Sequence, residues 1–61
     1  MEINEMVLKL RDIKREIDKI ADELECISHD RGGIPNYNSA ADELTSAYAK
    51  IEYAIVKMKK I

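Results

Sequence analysis

The stretch Asp30-Arg31-Gly32-Gly33-Ile34-Pro35-Asn36-Tyr37-Asn38 gathers residue types suited to holding a small anion. Arg31 offers a guanidinium fork. Gly32 and Gly33 let backbone N–H groups turn towards a phosphate. Asn36 and Asn38 add side-chain amides at the start of a helix, and Tyr37 adds a ring for a base to stack on. That chemistry is the capture of an anionic, for instance cyclic, nucleotide. In an oligomer, copies of these groups would converge between subunits into a pocket that no single chain has. Ordinary turn chemistry accounts for the same residues: glycines and a proline break a helix, asparagines cap the next one, and the tyrosine joins the core.

Other clusters carry less. Cys26, His29 and Asp30 form C-x-x-H-D, with Cys26 and His29 one helical turn apart. Two chains would have to combine to complete a zinc ligand set, so no metal site is assigned. The pairs Asp22–Glu23 and Asp42–Glu43 have the groups for acid–base catalysis but not the concave site that would separate their pKa values. No Ser-His-Asp set is present, so no catalytic residue is assigned, no cofactor is expected, and the chain is read as not an enzyme. Arg11, Lys14, Arg15 and Lys19 make a basic strip on the outward face of the first half. Asp12, Glu16 and Asp18 interrupt it, as they would in a solvated, salt-bridged face.

These residues need elements to hold them, and hydrophobic spacing supplies the elements. Ile3, Met6, Leu10, Ile13, Ile17, Ile20, Leu24 and Ile27 follow an unbroken 3-4 spacing, the period of one buried helical stripe. A second register, Tyr37, Ala41, Leu44, Tyr48, Ile51, Ile55 and Met58, follows a Gly-Gly-Ile-Pro break. The spacing predicts a helix over about 3–29, a loop over 30–38 and a helix over about 39–60, within a single domain spanning 1–61. Either glycine suits the left-handed residue that closes a helix, and Pro35 pushes Ile34 into an extended conformation. Ser39, with Asp42 three residues on, suggests a capping box, which would put Asp42 and Glu43 in the first turn of the second helix. Ala40, Ala47, Ala54 and Ile61 recur every seven residues and allow a neighbouring helix to approach closely. Ala49, Tyr53 and Val56 form a second apolar strip on roughly the opposite side, so the second helix is expected at the centre of an assembly.

Composition sets the outer bounds. Sixty-one residues with 46% hydrophobic and 36% charged content make a small folded chain, not a disordered one. Two such rods bury only the strip where they touch, and the apolar stripes are wider than that. We therefore expect an all-α, two-helix antiparallel hairpin assembling into a homo-oligomeric bundle, minimally a dimeric four-helix bundle. Residues 1–30 hold nine acids and five bases, residues 31–61 three acids and five bases. The hairpin is thus acidic at its tip and basic at its open end, which favours an antiparallel partner. No apolar run approaches the ~18 residues of a membrane span, no signal peptide is read, and the lone Cys26 has no partner within the chain. A cytoplasmic location is expected, with no membrane contact.

Three likenesses bear on function. Ser39-Ala40-Ala41-Asp42-Glu43-Leu44 occupies a place similar to the Ser-Gln-Glu-Leu-Asp motif on the second helix of the sporulation aspartyl-phosphate phosphatases. It lacks the glutamine and the order of the motif, so no active residue is carried over. In size and logic the chain resembles small helical oligomers of phages that sequester cyclic nucleotides, which implies the anion site above. In architecture it resembles the plasmid Rop class of dimeric bundles, which bind RNA through outward residues of helix 1. The reading ranked first is a small accessory protein of phage or plasmid type. It acts by binding, as a regulator or inhibitor that docks on a host protein through Ala49, Tyr53 and Val56. Nucleotide sequestration ranks second. RNA binding ranks third, because an acidic chain neutralises phosphate poorly.

Overall fold

The computed structural model of the protein describes residues 1–60 and contains two helices, α1 (Ile3–Asp30) and α2 (Pro35–Met58). They pack against each other as an antiparallel hairpin of 47 × 15 × 11 Å. No glycine or proline interrupts α1, which suits its length. Its end is a Schellman motif: the Gly33 N–H donates to the Ser28 carbonyl at 2.7 Å and the Gly32 N–H to the His29 carbonyl at 3.1 Å. Gly32 and Gly33 take φ of 81° and 96°, a region that L side chains avoid.

Helix α2 starts earlier than the spacing suggests. Ile34 is extended (φ −114°, ψ 106°), and Pro35 is the first helical residue. Proline fits there because its fixed φ is already helical and its missing N–H would have no partner within the helix. The expected loop over 30–38 therefore shrinks to residues 31–34, and Asn36, Tyr37 and Asn38 lie within the first turns of α2. Ser39 is inside the helix and does not cap it, and the first turn contains no acidic residue, so Asp42 and Glu43 lie too far along to meet the dipole there. The last turn does hold Lys57.

Ser28 ties the turn together. It is 1% exposed, and its Oγ accepts a hydrogen bond from the Ile34 N–H at 2.6 Å while donating to the Ile34 carbonyl at 3.3 Å. Nothing in the hydrophobic spacing marks this residue. Ser28→Ala should strand the Ile34 N–H and cost about 1–3 kcal/mol. Chemical denaturation checks it, and an unchanged midpoint would show that the clasp carries no stability.

The helices meet through two seven-residue rows. Val7, Lys14, Ala21 and Ser28 form one; Ile34, Ala41, Tyr48 and Ile55 form the other. Two contacts set the register: Ser28 on Ile34, and the Lys14 ammonium 4.9 Å from the centre of the Tyr48 ring. Stepping seven residues along both helices places Ala21 opposite Ala41 and Val7 opposite Ile55. All four are buried, at 5%, 0%, 4% and 6% exposure respectively. The small pair at mid-height lets the backbones come close.

This corrects the stripe inferred for the first helix. The row in the hairpin seam is Val7–Lys14–Ala21–Ser28, not the isoleucine row beside it. Ile3, Ile13, Ile20 and Ile27 stay 42–49% exposed. Small side chains suit the close-packed seam and bulky ones fall on its flank, a distinction that a 3-4 count does not make. On α2, the fully buried alanine is Ala41. Ala40 and Ala47 are half-buried, Ala54 is exposed, and Ile61 lies outside the described residues.

Candidate functional site

The flanks of the seam differ in chemistry. At 100° per residue, Leu10, Ile17 and Leu24 lie beside the α1 seam row, and Met6, Ile13, Ile20 and Ile27 lie one step further round on the same side. On α2, Tyr37, Leu44, Ile51 and Met58, then Ala40, Ala47 and Ala54, hold the equivalent positions. Because the helices are antiparallel, both sets fall on one side of the hairpin and form a single face. No residue in these rows is charged. The other side carries Arg11, Arg15, Asp18, Asp22 and Glu25 from α1 and Asp42 and Glu52 from α2.

The uncharged face runs the length of both helices. The hairpin as a whole exposes 4938 Å², more than the roughly 4,000 Å² of a compact monomer of 7.0 kDa, because two rods side by side leave most of their surface open. The second helix was expected to be the more central, yet most of the uncovered large apolar residues, Ile3, Leu8, Ile13, Ile20 and Ile27, belong to α1.

Within the single hairpin, most N–H groups of the proposed anion cluster already have partners. The N–H groups of Arg31, Gly32 and Gly33 are committed to carbonyls of α1. The Ile34 N–H goes to Ser28, Pro35 has none, and the N–H groups of Tyr37 and Asn38 donate to the Ile34 carbonyl. Gly32, Gly33 and Asn38 line an open concavity with Glu25, Ser28 and His29, where a carboxylate faces any anion. Asn36 is exposed, and Tyr37 is half-buried towards the uncharged face, away from that concavity. Arg31 is exposed.

The basic strip loses a member. Lys14 points into the seam, its side chain 17% exposed, and pairs with Glu52 of α2 at 3.3 Å. Arg15 pairs with Asp12 at 3.7 Å on the surface. Cys26 is an exposed free thiol beside Asp22, Glu25, His29 and Asp30. Among the described residues, no group of three or more His, Cys, Asp and Glu side chains is placed to hold a metal. Nor, among them, is any helix long and apolar enough to cross a membrane.

Ala49, Tyr53 and Val56 are all exposed, Tyr53 at 68% and Val56 at 51%. They lie on the part of α2 turned from α1 and away from the uncharged face. The molecule thus has two separate apolar surfaces: a long one along both helices and a short one on the back of α2. This defines the class of fold and surface: an all-α hairpin with one open uncharged side. No family model matches the chain, and no curated protein or solved structure matches it at a significant level.

Proposed function

We propose that this protein is a small non-enzymatic accessory protein of a reducing, cytoplasmic compartment. It self-associates through the uncharged face and acts by docking on a protein partner through Ala49, Tyr53 and Val56. The observation that carries the reading is the separation of the two surfaces. A bundle closed over the uncharged face still presents Tyr53 to a partner. A tyrosine beside Val56 and a small alanine is the composition of an interface anchor, amphipathic and rigid. The exposed thiol of Cys26 fits a reducing compartment. Self-association and docking use different residues, so each can be removed without the other.

Tyr53→Lys should leave helicity, melting temperature and assembly mass nearly unchanged, because Tyr53 is 68% exposed in the hairpin. The docking test replaces Tyr53 with a photo-crosslinking amino acid in cells, with the same group at Asp22 as the control. A partner captured at position 53 and not at 22, and lost on Val56→Lys, supports the reading. Equal capture at both positions, or a Tyr53→Lys protein that unfolds, overturns it.

A further inference from the structure

Charged rows border the uncharged face. On α1 the next row outward carries Glu2, Lys9, Glu16, Glu23 and Asp30; on α2 it carries Asn36, Glu43, Lys50 and Lys57. These residues are exposed in the hairpin and would ring anything seated on the face. The occupant must be apolar over the length of two helices and carry matching charges at its rim.

We propose that the occupant is a second copy of this chain running in the opposite direction, with its loop at the other end. This rests on the self-association reading above and specifies its geometry. Opposite direction lays α1 on α1 and α2 on α2. Lys9 then meets Glu23 of the second copy, and Glu43 meets Lys50 of the second copy. Each pairing fixes a two-fold axis independently. The midpoint of Lys9 and Glu23 is residue 16; the midpoint of Glu43 and Lys50 lies between residues 46 and 47. The register within the hairpin, set by Ser28 on Ile34 and Lys14 on Tyr48, puts residue 16 level with residue 46. The two pairs therefore demand the same axis. Near it sits Ala47, where a small side chain lets the two α2 helices approach. The unfavourable approaches, Glu16 to its own copy and Glu2 to Asp30, fall at exposed rim positions where water screens them.

Loops at the same end would lay α1 on α2 instead. Lys9 would then sit between Lys50 and Lys57, and Glu43 between Glu16 and Glu23. Those four approaches repel, while Lys50 to Glu16 and Lys57 to Glu2 attract; repulsion prevails there, so charge favours the opposite direction.

Two Cys26→Ser proteins decide it, one carrying Met6→Cys and the other Ile27→Cys. Positions 6 and 27 lie roughly 31 Å apart along α1, yet they meet across the proposed interface. The proteins are mixed, unfolded, refolded together and treated with a short bismaleimide, and mass spectrometry identifies the products. The proposal expects a linked pair containing one chain of each kind, and no linkage in either protein alone. Linkage within one variant and none between the two overturns the orientation and leaves self-association standing. A wild-type protein that sediments as a monomer overturns both. The rim supplies an independent readout. Lys9→Glu and Glu23→Lys should each raise the dimer dissociation constant roughly three- to tenfold at low salt, and the double variant should restore it. Losses that simply add in the double variant overturn the pairing.

Discussion

Ile20→Asp is expected to separate the subunits. Ile20 is 49% exposed and sits mid-way along the uncharged face, outside the seam between α1 and α2. Burying the exposed half of an isoleucine contributes about 0.7–1.5 kcal/mol, and a two-fold interface loses two of them. The dissociation constant should therefore rise roughly 10- to 10²-fold, before any cost of burying a carboxylate. Leu8→Asp is the matched control: Leu8 is 60% exposed and lies on the charged flank of the hairpin. The mass of the Leu8 variant in a sedimentation dilution series should follow the wild type, and that of the Ile20 variant should not. Equal behaviour of the two would show that the uncharged face has no special role.

Ala41→Leu is expected to have the largest effect within the hairpin itself. Ala41 is 0% exposed, and the register sets it opposite Ala21, which is 5% exposed. Three additional carbons there must push the helices apart or force poor rotamers, at a cost of about 1–3 kcal/mol. For a chain this short, that lowers the melting temperature by on the order of 10 °C. Ala49→Leu adds the same atoms at an exposed position away from both the seam and the uncharged face and should leave the melt near wild type. Thermal unfolding followed by circular dichroism compares the two. An unchanged Ala41→Leu melt would mean that the seam is not where the register puts it.

Much of the architecture was legible because helices advertise their period. The 3-4 spacing in both halves and the glycine pair between them mark two helices and a closing turn, and the positive φ of Gly32 and Gly33 has the expected cause. Spacing does not say which of two neighbouring rows faces the partner helix. Ile20 and Ala21 differ by one residue and 100°, yet one is 49% exposed and the other 5%. That choice depends on how closely two backbones approach, which small residues decide and hydrophobicity counts undervalue. Lys14 was misplaced for a related reason. A lysine reads as solvated, but its ammonium sits over the Tyr48 ring and reaches Glu52. Ser28 carried no signal because a buried serine is recognisable only by the backbone it binds. The commitment of the loop N–H groups to carbonyls of α1 is invisible in the sequence, because residue types at the turn do not say which carbonyls take them. The position of Tyr53 and Val56 away from the main stripe follows from helical angle alone, and both are exposed.

Sedimentation equilibrium of the wild-type protein at micromolar concentration, with helicity read on the same samples, bears most directly on the open uncharged face. A fully helical species of twice the 7.0 kDa subunit mass is the expected result, dissociating only on dilution or on Ile20→Asp. A single species of 7.0 kDa that keeps full helicity across the concentration range would contradict it.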